Sequence, residues 1–235
     1  RPFFVEGAAI FKYPLIAGSG WSRENLFYSR RVGRAPQGYP FTESNEYVKM
    51  PRYTRILGAF KLSGKTQNGW TIGVMENLTN NEYATIDSVG TRSKQLVEPM
   101  TNYFVARVQK DIVRGKTMLG GIVTATNRFF VDSSMMYLPK AAYSAGIDFE
   151  QYWLNKTYSL KAKFVGSSIA GTEEAMIERQ MAPQRYFQRP DATHLQVDST
   201  LTQLTGYAGS LDLGKIATGH WRYGFKLNFI SPGLS

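Results

Sequence analysis

Two acidic side chains, Asp148 and Glu150, could carry the chemistry of a glycosidase. The residues around them alternate between apolar and polar, so both carboxylates lie on one face of a predicted strand, about 7 Å apart. Carboxylate pairs separated by roughly 5–9.5 Å hydrolyse glycosidic bonds. The alternative is structural, because Lys161 and Lys163 lie on the next predicted strand and cross-strand charge pairs are common. We favour the structural alternative.

Three arginines lie close together near the start of the chain: Arg30, Arg31 and Arg34. Guanidinium groups bind carboxylates, phosphates and sulfates, so these arginines could line a lumen and attract an acidic glycan or a lipid headgroup. Alternatively, they pair with Glu6, Glu43 or Glu46 and hold the N-terminal part of the chain in place. We favour pairing, since charges removed from water are usually paired.

A second group of candidate ligand-binding residues lies in the longest link between predicted strands, at about 170–200: Arg185, Tyr186, Arg189, Asp191 and His194. The aromatic rings of this loop could stack on sugar rings, which would make it an extracellular glycan-binding loop. The loop could equally fold inward and close a barrel. Long ordered loops often carry function, so both interpretations stay open.

Composition excludes several other kinds of site. The chain has no cysteine and two histidines, which excludes thiol catalysis and makes a multi-histidine metal site improbable. There is no GxSxG elbow, Walker loop or GxGxxG motif. The net charge is +10, but no lysine-rich tail of the kind that binds nucleic acid is present. We therefore expect no enzymatic activity, no cofactor, no metal and no nucleic-acid partner.

Alternating hydrophobicity from residue 54 onward predicts about eight long antiparallel strands. Short turns are predicted at 67–69, 113–116, 155–156 and 217–219, whereas long links are predicted at 88–99, 129–139 and 170–200. One short helix is predicted over 172–181, inside the last of these links. We expect residues 1–53 to form a loop-rich N-terminal segment packed on or in a β-barrel, and residues 54–235 to supply the antiparallel strands of that barrel.

Long strands joined by short turns on one side and long loops on the other are typical of a transmembrane β-barrel. In that fold, the aromatic residues of the strands, such as Phe60, Phe104, Phe149, Phe164, Trp221, Tyr223 and Phe225, face lipid. The charges of the alternate phase then face the lumen: Lys61, Arg107, Asp148, Glu150, Lys161, Lys163, Arg222 and Lys226. In a soluble barrel the two sets exchange places, and alternation alone does not distinguish the two folds.

The motifs resemble a family of bacterial envelope proteins with a family-9-like carbohydrate-binding domain and a C-terminal domain of unknown function similar to an outer-membrane β-barrel. The matching stretches are RPFFVEG (1–7), LFYSRRVGR (26–34), KLSGKTQNGW (61–70), VEPMTNYFVARVQKD (97–111), TATNR (124–128), RYFQRPD (185–191) and SPGL (231–234). They correspond to the front of the C-terminal domain, so the resemblance implies a chain that forms part of a larger barrel.

Together these observations predict a non-enzymatic β-barrel segment in the outer membrane of a Gram-negative bacterium, acting in glycan-related binding or transport or in an envelope assembly. The expected partners are outer-membrane lipid or lipopolysaccharide, a glycan, and other envelope proteins or the rest of the same barrel. The alternative is a soluble carbohydrate-active hydrolase or a lectin-like β protein.

Overall fold

The computed structural model describes residues 2–15, 25–191 and 195–234. Strands make up about half of the described residues, so the all-β prediction is confirmed. The strands are β1 (Glu46–Lys49), β2 (Ile56–Lys65), β3 (Trp70–Thr79), β4 (Glu82–Ser88), β5 (Thr91–Glu98), β6 (Met100–Asp111), β7 (Thr117–Phe129), β8 (Ala141–Trp153), β9 (Tyr158–Ala170), β10 (Gln203–Lys215) and β11 (Tyr223–Ile230).

Eight of these strands form one antiparallel sheet in the order β11-β10-β9-β8-β7-β6-β3-β2. The short connections lie where the sequence predicts turns, and their backbones visit the left-handed region, as at Gly69 (φ 79°) and Gly115 (φ 76°). Glycine adopts this conformation without a steric penalty, which allows the chain to reverse within a few residues. As described, the sheet is open, with β2 and β11 as its two edges.

A second, three-stranded sheet of order β1-β4-β5 corrects one expectation. Residues 88–99 are not a long link, because most of them form strand β5. Instead β3 ends at Thr79, and the chain enters a hairpin whose turn holds Val89 and Gly90 at positive φ. The break falls at two asparagines, and the Asn81 side chain accepts a hydrogen bond from the Met100 backbone N–H at 2.6 Å.

Two α-helices are present among the described residues: α1 (Pro2–Val5) and α2 (Glu173–Met181). The second confirms the predicted helix. The Thr172 hydroxyl caps it by accepting a hydrogen bond from the Ala175 N–H at 3.2 Å, and two glutamates occupy its first turn. Its buried apolar side chains, Ala175 and Met176, pack against Ile169 and Leu204 of the large sheet. No helix in the described ranges is both long and apolar enough to cross a membrane.

Strand register divides the large sheet into two chemically different faces. The apolar face carries, among others, Phe60, Phe104, Ile147, Phe149, Phe164 and Phe225, and the charged face carries Lys61, Arg107, Asp148, Glu150, Lys161, Lys163 and Lys226. These assignments follow the predicted alternation. Trp221 and Arg222 do not belong to either face, because β11 begins only at Tyr223 and both residues lie in the preceding turn.

The N-terminal segment, residues 2–15, packs on the charged face. Its Phe11 and Tyr13 are buried against side chains from five strands: Met75, Val105, Ile122, Val165 and Ala208. Two glycines make room for it. A Cβ at Gly73 would approach Ile10 to 2.8 Å, and one at Gly146 would approach the Tyr13 ring and hydroxyl to 3.0 Å. The segment therefore fits a groove that only residues without side chains can provide.

We predict that Gly146→Val weakens the docking of the N-terminal segment. The added side chain meets Tyr13, and overpacking of this kind costs roughly 1–3 kcal/mol. Gly166→Val is the matched control, because a Cβ there finds only the Gly206 carbonyl, at 4.0 Å. Trypsin cleavage after Lys12 should accelerate in the first variant and not in the second. Equal cleavage rates in both variants would show that the groove does not hold the segment.

Candidate functional site

The centre of the charged face is an ion pair between Arg107 on β6 and Asp148 on β8. The contact is bidentate: Nη2 donates to Oδ2 at 2.8 Å, and Nη1 donates to Oδ1. Both side chains are buried, with 7% and 4% of their surface exposed. The pair spans the intervening strand β7 because Gly120 lies between them, and a Cβ there would approach the Asp148 carboxylate to 2.7 Å.

Tyr13 of the N-terminal segment covers this ion pair. Its ring lies 5.2 Å from the Arg107 guanidinium carbon and 5.6 Å from the Lys163 Nζ, within cation–π range of both. Its hydroxyl donates to the Ile147 carbonyl at 2.6 Å. Burial, followed by the Asp148 charge, raises the pKa of Tyr13 well above its usual value, so the phenol stays protonated and acts as a donor.

Apart from Arg222, the other predicted lumen-facing charges lie on the same face, and their contacts are with the sheet itself or with the N-terminal segment. Lys161 and Lys163 are directly opposite Glu150 and Asp148 in the β8–β9 register. Glu150 accepts a hydrogen bond from the Tyr152 hydroxyl at 3.1 Å. Lys163 donates to the Pro14 carbonyl at 3.3 Å, and Lys61 donates to the Phe3 carbonyl at 2.9 Å and to the Glu6 carbonyl.

These contacts do not favour the glycosidase hypothesis. A general acid must have a carboxylate oxygen open to the substrate, whereas both Asp148 oxygens accept hydrogen bonds from the Arg107 guanidinium. Asp148 is also covered by Tyr13 rather than open to a substrate. The favoured alternative, a stripe of acids facing lysines across the strands, agrees with the register.

The N-terminal arginines lie apart from the ion pair. Arg30 and Arg31 are exposed in a single 3₁₀ turn, Ser29–Arg31, and Arg34 is half-buried. The expected pairs with Glu6, Glu43 or Glu46 are not among the five ion pairs found in the described ranges. Instead, Glu46 accepts a hydrogen bond from the Glu43 backbone N–H at 3.0 Å.

The candidate residues of the long loop do not gather into one site. Arg189 pairs with Asp191 at 2.8 Å, and this contact raises the pKa of the arginine and lowers the pKa of the aspartate. Arg185 donates to the Leu234 carbonyl at 3.0 Å. Tyr186 is exposed and has a positive φ of 49°, and His194 lies outside the described residues.

Sequence reasoning missed two arginines that neighbour the predicted ones. Arg128 lies at the end of β7 on the charged face, and Arg179 lies on α2. The charges of Arg34 and Arg179 both act on Arg128, and the charge of Arg179 also acts on Arg185. Arg128 follows the same alternation as Ile122 and Thr124, so its face could have been predicted. The approach of Arg34 and Arg179 depends on how loops fold over the sheet.

A family described as a domain of unknown function (DUF5916) matches residues 1–233. The chain belongs to this family. Neither a curated protein nor a solved structure matches it significantly. The family description assigns no enzymatic activity, and in the described ranges no cluster of histidine, aspartate and glutamate side chains suits a metal ion.

We predict that Arg107→Met destabilises the fold strongly, by roughly 3–5 kcal/mol, because it leaves the Asp148 carboxylate buried without its partner. The double variant Arg107→Met/Asp148→Leu should recover most of this loss, since it removes both charges together. The free energy of unfolding, measured by urea titration of the purified protein, tests both expectations. A double variant no more stable than Arg107→Met would show that the pair is not the dominant interaction of these two residues.

Proposed function

We propose that the large sheet is the wall of a transmembrane β-barrel in the outer membrane of a Gram-negative bacterium. In this arrangement the apolar face contacts lipid, including lipopolysaccharide, and the charged face lines the interior. The N-terminal segment fills part of that interior. The protein is non-enzymatic and acts in glycan-related binding or transport, or in an envelope assembly.

The observation that carries this proposal is an inversion of the usual burial pattern. On the apolar face Phe60 is 58% exposed and Ile147 is 63% exposed, whereas Arg107 and Asp148 on the charged face are almost fully buried. Soluble proteins rarely expose contiguous apolar patches larger than a few hundred Å². Here exposed large hydrophobic residues occur on all eight strands of the sheet. Such a surface is stable in contact with hydrocarbon.

Strand length and topology also support the proposal. Seven strands of the large sheet have 10–13 residues, and a tilted strand needs about 9–11 residues to cross the hydrocarbon core. The hairpin turns lie on one side of the sheet, and α2 and the small sheet lie in the connections of the other side.

The two edges of the sheet must be paired if it lies in lipid, because unpaired backbone groups are not tolerated there. Every residue of β11 is exposed, as expected of a strand whose outer neighbour is missing. We propose that further strands of a larger barrel pair with β2 and β11. The glycan-related role rests on the resemblance to envelope proteins that carry a carbohydrate-binding domain.

Two substitutions in the β8–β9 hairpin test the membrane placement. Ile147 lies at the middle of β8 and Leu154 lies in the turn that follows, and they have similar exposures of 63% and 68%. An arginine facing lipid at mid-membrane costs roughly 2–4 kcal/mol, but close to zero near the interface. Ile147→Arg should therefore block insertion into outer-membrane vesicles, whereas Leu154→Arg should insert like the unmodified protein.

In water the two substitutions should be equally harmless, because both side chains are similarly exposed. Normal insertion of Ile147→Arg, or recovery of the unmodified protein in solution without detergent, would contradict the membrane proposal. The soluble carbohydrate-binding alternative would then take its place.

A further inference from the structure

Four arginines from separate parts of the chain converge beside the charged face: Arg34, Arg128, Arg179 and Arg185. Arg34 follows the Ser29–Arg31 turn, Arg128 is near the end of β7, and the other two belong to α2 and the turn after it. The charges of Arg34 and Arg179 both act on Arg128, and that of Arg179 acts on Arg185. Like charges gathered in this way repel one another unless an anion lies among them.

The hydrogen bonding of this arginine cluster is incomplete. The Nε atoms of Arg34, Arg128 and Arg179 are buried and have no hydrogen-bond partner in the protein. The cluster is held in place by backbone contacts instead. Arg128 Nη1 donates to the Pro139 carbonyl at 2.6 Å, and Arg185 Nε donates to the Leu234 carbonyl at 3.0 Å. Buried donors without acceptors are rare in proteins, so three such donors in one cluster indicate a site for a ligand that supplies acceptors.

The buried acid beside this cluster, Glu98, is not among the ion pairs found in the described ranges. The carboxylate that acts on Arg128 is that of Glu98, which is buried and accepts hydrogen bonds from the Gln37 backbone N–H at 2.8 Å and from its side-chain amide at 3.0 Å. Burial, with a further contribution from the Arg179 charge, lowers the pKa of Arg185.

A depression of about 700 Å³ at the loop end of the sheet reaches one member of the cluster, Arg128. Its lining includes Arg128, Lys140 and the α2 cap Thr172, and none of its lining residues is acidic. A small anion entering it would meet two cationic side chains and a hydroxyl.

We propose that the arginine cluster binds an oxyanion, a phosphate or a carboxylate group, through the Nε and Nη donors of Arg34, Arg128 and Arg179. Planar guanidinium groups match the geometry of such oxyanions and bind them with two parallel hydrogen bonds. The ligand supplies the acceptors that the protein lacks. This inference does not depend on what contacts the apolar face.

Calorimetric titration and thermal unfolding of the full chain test the site, with inorganic phosphate and glucuronate as separate probes and chloride keeping the ionic strength constant. We expect saturable binding of at least one probe, with a matching rise in unfolding temperature. Arg34→Gln/Arg128→Gln should weaken binding at least tenfold, because it removes two of the three guanidinium groups that supply the donors. Arg179→Gln provides an independent variant if the double variant does not fold.

The control is Arg92→Gln, which removes an exposed arginine that pairs with Asp87 on the small sheet. It should bind like the unmodified protein. Binding of phosphate alone would indicate a phosphorylated ligand, whereas binding of glucuronate would indicate an acidic sugar. Either result would support the proposed site. No saturable binding of either probe, or equal losses in Arg92→Gln and the cluster variants, would overturn the proposal.

Discussion

The buried ion pair between Arg107 and Asp148 is the interaction on which the interior of this fold depends. It ties β6 to β8 across β7 and forces the intervening position to be glycine, since a Cβ at Gly120 would collide with the carboxylate. Two charges removed from water are tolerated only when each satisfies the other. The position of the N-terminal segment follows from this constraint, because Tyr13 lies over the pair and shields it.

The sequence predicts most of the sheet because strand alternation is a local property. A period of two fixes the face of each residue once the strand is recognised, so Lys61, Lys161 and Lys163 could be assigned together before any contact was known. The hairpin turns and the α2 cap are likewise determined by residues close together in the sequence. The β4–β5 hairpin was missed because Asn80 and Asn81 redirect the chain within a run that continues the strand pattern.

The candidate sites were harder to predict, because their composition depends on contacts between distant segments. The sequence suggests that Arg34 pairs with acids close to it along the chain. Its charge acts instead on another arginine, Arg128 of β7, which the charge of Arg179 on α2 also affects. The loop residues Arg189 and Asp191 lie two positions apart and form an ion pair with each other, which leaves few of their hydrogen-bonding groups for a ligand. Residue type alone therefore indicated binding chemistry, but tertiary packing decided which arginines came together.

The N-terminal segment contacts the sheet mainly through its backbone carbonyls and rings. Lys61 and Lys163 donate to the carbonyls of Phe3 and Pro14, and Arg107 contacts the ring of Tyr13. No ion pair joins the described residues of the segment to the sheet. If the segment left, the ion pair would remain complete and the two lysines would be hydrated, so no buried charge would lose its partner. The segment therefore fits the charged side of the sheet by shape, and charged hydrogen bonds and cation–π contacts, rather than ion pairs, hold it there.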